Sequence, residues 1–253
     1  IIMTLEEKDE NENIIPNQRF ARLQELETIR YAMPHHDEMQ SLVGGEVAKA
    51  VKNIESPELD ADGFSEIVEI GTGKGFTAEE ILKANANVKI IGADNDAGMI
   101  RQAQENLGQY IKEGRIELRQ DDALKFLKKI PDNSVSIVAS GFTIHNFRND
   151  YRRAVLKEIY RVLKPGGEFI TADKIMPDDE DIFQKEIKYA NEQFQNIPDE
   201  EKRKEWIRHY EGDMQPGVIM REGELVKMLQ EIGFRDVEVS QRQHLEALLT
   251  VKK

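Results

Sequence analysis

The chain has 253 residues, 39% hydrophobic and 33% charged, a formal net charge of −13 at pH 7 and no cysteine. That length suits one large domain with a small lid. The charge argues against general affinity for nucleic acid or anionic membranes, whose phosphates need lysine and arginine fields, and the missing thiols exclude disulfides and thiolate metal sites.

No stretch approaches about 18 apolar residues, and the first residues carry no basic n-region, so a soluble cytoplasmic protein is expected. Residues 1–18 are acidic and polar and read as a mobile tail. From Arg19, the spacing of Phe20, Leu23, Leu26, Ile29 and Ala32 predicts a helix that Pro34 stops. His35-His36-Asp37-Glu38 opens a second helix carrying Met39, Leu42, Val43, Val47, Val51 and Ile54; its acids suit the N-terminal end of the helix dipole. Residues 19–64 thus form a helical segment ending in a linker, 56–64.

The strand Glu66–Ile70 runs into Gly71-Thr72-Gly73-Lys74-Gly75, and a helix follows over Thr77–Asn85. Strands are then predicted at 87–93, ending at Asp94, at Arg115–Arg119, Ser134–Ala139 and Glu168–Ala172. Helices fall between them at Ala97–Leu107, Leu124–Lys129 and Arg148–Leu163, the last closed by Lys164-Pro165-Gly166-Gly167. This alternation predicts an α/β fold with a mainly parallel sheet and helices on both faces. Residues 175–220 break the rhythm with two helices, the second holding Trp206, and would lie above the carboxyl edge of the sheet where ligands bind. Helix Arg221–Gly233 and strands Arg235–Ser240 and Leu245–Val251 complete the chain.

A strand that stops in alternate glycines before a helix is a nucleotide-site architecture. A P-loop is excluded because Lys74 is followed by Gly75, and a dinucleotide fingerprint because position 76 is Phe. The spacing Glu69-x-Gly71-x-Gly73-x-Gly75 resembles motif I of class I S-adenosylmethionine (SAM)-dependent methyltransferases. Asp94 after the second strand, Asp122-Ala123 after the third, and Arg161-Val162-Leu163-Lys164-Pro165-Gly166-Gly167 before the fifth resemble the same family in the same order. The resemblance implies a Rossmann-like doubly wound sheet of seven strands, the last antiparallel, over 65–253. It also implies an N-terminal helical lid and a helical cap at 175–220. The function implied is SAM-dependent methyl transfer to a small-molecule acceptor.

The cofactor-binding residues expected on this basis are Glu69, Gly71, Thr72, Gly73, Gly75, Asp94, Asn95, Met99, Asp122, Ala123, Ser140 and Gly141. A carboxylate at Asp94 can accept from both ribose hydroxyls, and an acidic site is tolerable because SAM carries a sulfonium and an ammonium. Asp122 can accept from the adenine amino group, and Met99 can pack on the ring. His145, in Phe142-Thr143-Ile144-His145-Asn146, is the candidate general base. Tyr31 is a second catalytic candidate, and His35, Phe142, Trp206 and Tyr210 are candidates for the acceptor pocket. No metal is expected, since adjacent histidines on a helix point about 100° apart.

Ile29–Gln40 and Phe142–Lys174 also resemble carboxy-SAM synthases of tRNA wobble-uridine modification, although Ile144-His145-Asn146 departs from that family's pattern. Two alternatives therefore stand: a SAM-modifying enzyme of that kind, and a non-catalytic SAM-binding regulatory protein. The expected partner is a small or cationic acceptor; a homodimer is left open.

Overall fold

The computed structural model describes residues 26–53 and 63–253, with side chains from Thr28 onward. The expected tail, the start of the first helix and most of the linker lie outside these residues. Two helices, α1 (Leu26–Ala32) and α2 (His36–Lys52), precede the sheet. Strands β1 (Ser65–Ile70), β2 (Val88–Asp94), β3 (Ile116–Gln120) and β4 (Val135–Gly141) alternate with helices. These are α3 (Phe76–Ala84), α4 (Ala97–Asn106), α5 (Gly108–Lys112) and α6 (Ala123–Lys128). After β4 come a 3-10 turn at Ile144–Asn146, helix α7 (Asn149–Val162) and strand β5 (Leu163–Lys174). Two cap helices, α8 (Glu180–Phe194) and α9 (Glu200–Asp213), are followed by α10 (Glu222–Ile232), β6 (Arg235–Gln243) and β7 (Glu246–Lys252).

The sheet order is β3-β2-β1-β4-β5-β7-β6. β1 to β5 pair in parallel, and β7 runs antiparallel to both β5 and β6. The expected seven-stranded Rossmann-like sheet with an antiparallel last strand is therefore present. The reversal between β1 and β4 puts a crevice at the carboxyl ends of the central strands.

Alternation along β1 serves both faces. Val68 and Ile70 enter the core made with α7 and α10, while Ile67 enters the core made with α2, α3 and α4. Each is at most 1% exposed, a burial that stabilises by about 1.5–3 kcal/mol per side chain. Helix α2 buries Met39, Val43 and Val47 at four-residue spacing, and its Gly44 lets the backbone of α3 approach. A third apolar cluster joins Ile29 of α1 and the following Met33 to the cap helices (Phe183, Phe194, Trp206), so lid and cap form one roof.

Among the boundaries that differ from expectation, two change how the chain turns. Lys164-Pro165-Gly166-Gly167 is not a turn ahead of the strand but the first part of β5, accommodated by a register shift against β4 between Val135 and Ile137. The last hairpin turns later than expected, at His244, because β6 continues to Gln243 through a second irregularity. No helix of the described residues is long and apolar enough to cross a membrane.

Candidate active site

A cavity of about 850 Å³ opens at the carboxyl edge of the sheet under this roof. One end is built by the turns after β1, β2 and β3. Gly71 has φ of +71° and packs so closely on Thr143 that a Cβ would lie 2.2 Å from its Oγ1, so only glycine fits. Gly75 caps α3 at φ of +86°, packed on Leu107 and away from the cavity. Asp94 folds the loop: Oδ2 accepts from Gly73 N–H at 2.8 Å and Oδ1 from Asp96 N–H at 2.9 Å. Burial raises the Asp94 carboxyl, and these two bonds work against that shift. Asp96 caps α4 by accepting from Gly98 and Met99 N–H. Asp122 caps α6 and also accepts from the Tyr151 hydroxyl, while Asp121 pairs with Lys129.

Gly71, Thr72, Gly73, Asp94, Asn95 and Met99 line this end, with Asp122, Ala123 and Gly141. Glu69 and Ser140 do not reach it. Glu69 alternates onto the α3 face of the sheet, where it is fully buried and its oxygens make no well-formed hydrogen bond, with Thr72 and the Ala78 backbone nearby. Burial drives its pKa up to about 7, and Asp94 adds to the rise; Thr72 and the Ala78 backbone pull it down only partly. Ser140 donates to the Ile70 carbonyl and is fully buried.

These walls fit SAM. Asp94, Asp96, Asp121 and Asp122 all face the compartment, with Lys74 as the cationic residue at this end. That composition disfavours a pyrophosphate and suits a ligand with a ribose diol, an ammonium and a sulfonium. The buried Glu69 carboxylate beneath the loop is a further acid whose ionised form a cationic ligand would stabilise.

The other end is built by the lid, the segment after β4, the tip of β5, and α9. His36, Gln40, Phe142, His145, Lys174, Trp206 and His209 line it. His36 stacks on Phe142 with ring centroids 5.4 Å apart and meets Gln40 at 3.2 Å; Gln40 also accepts from Thr77, tying the lid to the start of α3. Burial lowers the His36 pKa, against the opposing pull of Asp37.

His145 is 4% exposed, and its Nδ1 is bonded to Asp173. Asp173 is held in turn by the backbone N–H groups of Ile144 (2.8 Å) and Lys174 (2.8 Å). A carboxylate only accepts, so Nδ1 carries the proton and Nε2 is the basic nitrogen. Arg152 lies below and donates to the carbonyls of Ile144, His145, Phe147 and Val218, which fixes the turn; burial lowers its pKa to about 10.

Behind this wall, Lys174 Nζ lies 2.7 Å from Asp213 Oδ2, 3.2 Å from His209 Nε2 and 4.1 Å from the Tyr210 ring centroid. Burial would raise the Asp213 carboxyl, but the Lys174 ammonium holds it below the usual range. Burial also holds His209 well below its usual pKa, so it is neutral at pH 7. His145, His209 and Asp213 present ligand-type atoms within 4.8 Å of one another, but the Lys174 ammonium occupies the cation position among them.

Several sequence candidates lie elsewhere. Tyr31 is 36% exposed and outside the cavity wall, because Ile29 of α1 and the following Met33 turn inward instead. His35 and Tyr210 line a small separate depression with His244 and Glu186. On α2 it is His36, three residues before Met39, that shares the buried face, so helical periodicity would have chosen between the two histidines. Asp213 continues the buried positions Trp206, His209 and Tyr210 of α9 and was legible in the same way. Asp173 and Lys174 were missed because the expected strand stopped at Ala172.

A family model described as a methyltransferase domain matches residues 67–167. The carboxy-S-adenosyl-L-methionine synthase of Mannheimia succiniciproducens is 33% identical over 121 residues, 47% of this chain and 48% of that protein. Its counterpart from Shewanella sediminis is 32% identical over 120 residues, again 47% and 48%. The chain thus matches about half the length of these curated relatives. Among solved structures, the CurJ carbon methyltransferase superposes with a TM-score of 0.61 at 17% identity, covering 98% of this chain and 61% of that one. A SAM-dependent methyltransferase from Aquifex aeolicus gives 0.52 at 18% identity, covering 82% and 89%. Likeness at this identity shows the fold, and the family match and the acid-lined glycine loop agree with it. Residues 67–167 therefore match a methyltransferase domain model, on a Rossmann-like fold that solved methyltransferases share.

Proposed function

We propose that the chain transfers a methyl group from SAM to a small-molecule acceptor held under the lid and cap. The observation that carries this reading is the single cavity whose wall includes both the acidic cofactor compartment and the His145–Lys174–His209 compartment. When bound, SAM supplies an electrophilic methyl on a good leaving group. The protein's task is to position the acceptor and exclude water. The roof of Ile29, Met33 and Trp206 supplies the apolar cover. His145, held by Asp173 and lining the acceptor end, is the base this reading assigns, its Nε2 lying 4.0 Å from Asp213 Oδ2. A base so held contributes about 10²–10⁴-fold.

A second reading, formation of a carboxylated SAM, is favoured by the names of the curated relatives. Product mass spectrometry after incubation with methyl-labelled SAM and a small-metabolite extract separates the two. Methyl transfer gives a labelled acceptor and S-adenosylhomocysteine; the alternative gives a heavier adenosyl product that keeps the methyl label. Binding of S-adenosylhomocysteine with neither product, over an acceptor-rich extract, would support the regulatory alternative and count against catalysis.

A further inference from the structure

The acids on the cavity wall gather at the cofactor end. Among the described residues the acceptor end presents no carboxylate; its polar surface includes three imidazoles, Gln40, Thr77, Thr143, Asn146 and Lys174, set among the aromatic faces of Phe76, Phe142 and Trp206. Asp173 and Asp213 stand behind His145 and Lys174 and do not line the cavity.

Lys174 is the last residue of β5 and is 1% exposed. Its head is fixed between Asp213, His209 and the Tyr210 ring, so its charge is preorganised. Asp213 engages it through Oδ2 alone, and Oδ1 has no hydrogen-bond partner, so the buried network is unsaturated. The contact to neutral His209, at 3.2 Å, is the weaker one and the one an oxyanion at the wall can replace with a charge-assisted bond. A cationic acceptor would instead meet an ammonium with no carboxylate beside it on the wall.

We infer that the acceptor is a small planar molecule bearing a carboxylate, with Lys174 as the specificity-determining cation and Asp213 and His209 as the residues that position it. This rests on the methyl-transfer reading and names the acceptor class for the same cavity.

The test uses the full chain saturated with S-adenosylhomocysteine and titrated calorimetrically with benzoate, benzamide and benzamidine, three planar probes of similar size and different charge. Benzoate is expected to bind about tenfold tighter than benzamide, with benzamidine weakest. Lys174→Met removes the preference for benzoate while S-adenosylhomocysteine still binds. Asp213→Asn frees Lys174 from its counter-charge and tightens benzoate, a direction that mere structural damage does not produce. Equal affinities, a preference for benzamidine, or a benzoate preference retained in Lys174→Met would overturn the inference while leaving the methyl-transfer reading intact. Failure of S-adenosylhomocysteine to bind the wild-type protein would remove the methyl-transfer reading, and the inference with it.

Discussion

Replacing Gly71 by alanine tests whether the glycine loop is held by close approach rather than by composition. The backbone sits at φ of +71°, where a Cβ costs about 1–2 kcal/mol. The added methyl would also fall 2.2 Å from Thr143 Oγ1, 2.3 Å from Cγ2 and 2.7 Å from Cβ. Rotating Thr143 relieves the first two contacts but not the third, so the backbone has to move, at about 1–3 kcal/mol for overpacking. The Thr143 hydroxyl would also lose its bonds to the carbonyls of Gly141 (3.0 Å) and Gly71 (3.2 Å), about 1 kcal/mol more. The expected total is about 3–6 kcal/mol, read by urea denaturation at pH 7. Because Thr143 lines the cavity between its two ends, S-adenosylhomocysteine binding should weaken at least tenfold by calorimetry. Adding Thr143→Gly removes the steric share and should recover that part alone, leaving the dihedral cost and the lost hydroxyl bonds. A Gly71→Ala protein within 1 kcal/mol of wild type with unchanged affinity would refute the reasoning.

Glu69 holds its proton to about pH 7 in the folded state against an ordinary value of 4.5, so its contribution is fully present below about pH 4.5 and is lost as pH rises to 7. The loss amounts to about 3 kcal/mol. Glu69→Gln should therefore match wild type near pH 4.5 and gain on it up to pH 7.5, a divergence that denaturation across that range would reveal; parallel curves would count against it. Asp173→Asn leaves the His145 tautomer unspecified, and turnover should fall about 10²–10⁴-fold with S-adenosylhomocysteine affinity within twofold. Equal losses in both would make Asp173 structural. Arg152→Lys cannot span the carbonyls of Ile144, His145, Phe147 and Val218, and should cost about 2–4 kcal/mol in thermal or urea unfolding. Gly44→Ala would put a Cβ 2.7 Å from the Glu80 carbonyl oxygen on α3 and should destabilise by about 1–3 kcal/mol despite alanine's better helix propensity.

The cofactor end was legible in sequence because its determinants are local. A glycine turn, an acid at a strand end and a helix cap each announce themselves within a few residues, and they converge because parallel strands end at one edge. Glu69 shows the limit: its place in the motif suggested contact with the ligand, whereas strand alternation turns it under the loop. The acceptor end was legible only in part because its residues are far apart in the chain. His145 meets Asp173 across 28 residues and Lys174 meets Asp213 across 39, and no sequence pattern announces such pairs. The proline and glycines of residues 164–167 read as a turn for a different reason, since the start of a strand and a break in its register tolerate the same residues as turns do.

The cavity has one wall inside residues 67–167 and another drawn mostly from outside them: Ile29, Met33, His36 and Gln40 before, and Lys174, Trp206 and His209 after. On the methyl-transfer reading, donor chemistry and acceptor choice reside on largely separate stretches of one chain. A drift in α1, α2 or α9 can change what is modified while the glycine loop and Asp94 stay untouched, and the converse change would disable every acceptor at once. Transplanting the lid and cap between such proteins should carry the acceptor preference with it, and the central stretch that the family model matches, residues 67–167, should behave as an interchangeable engine.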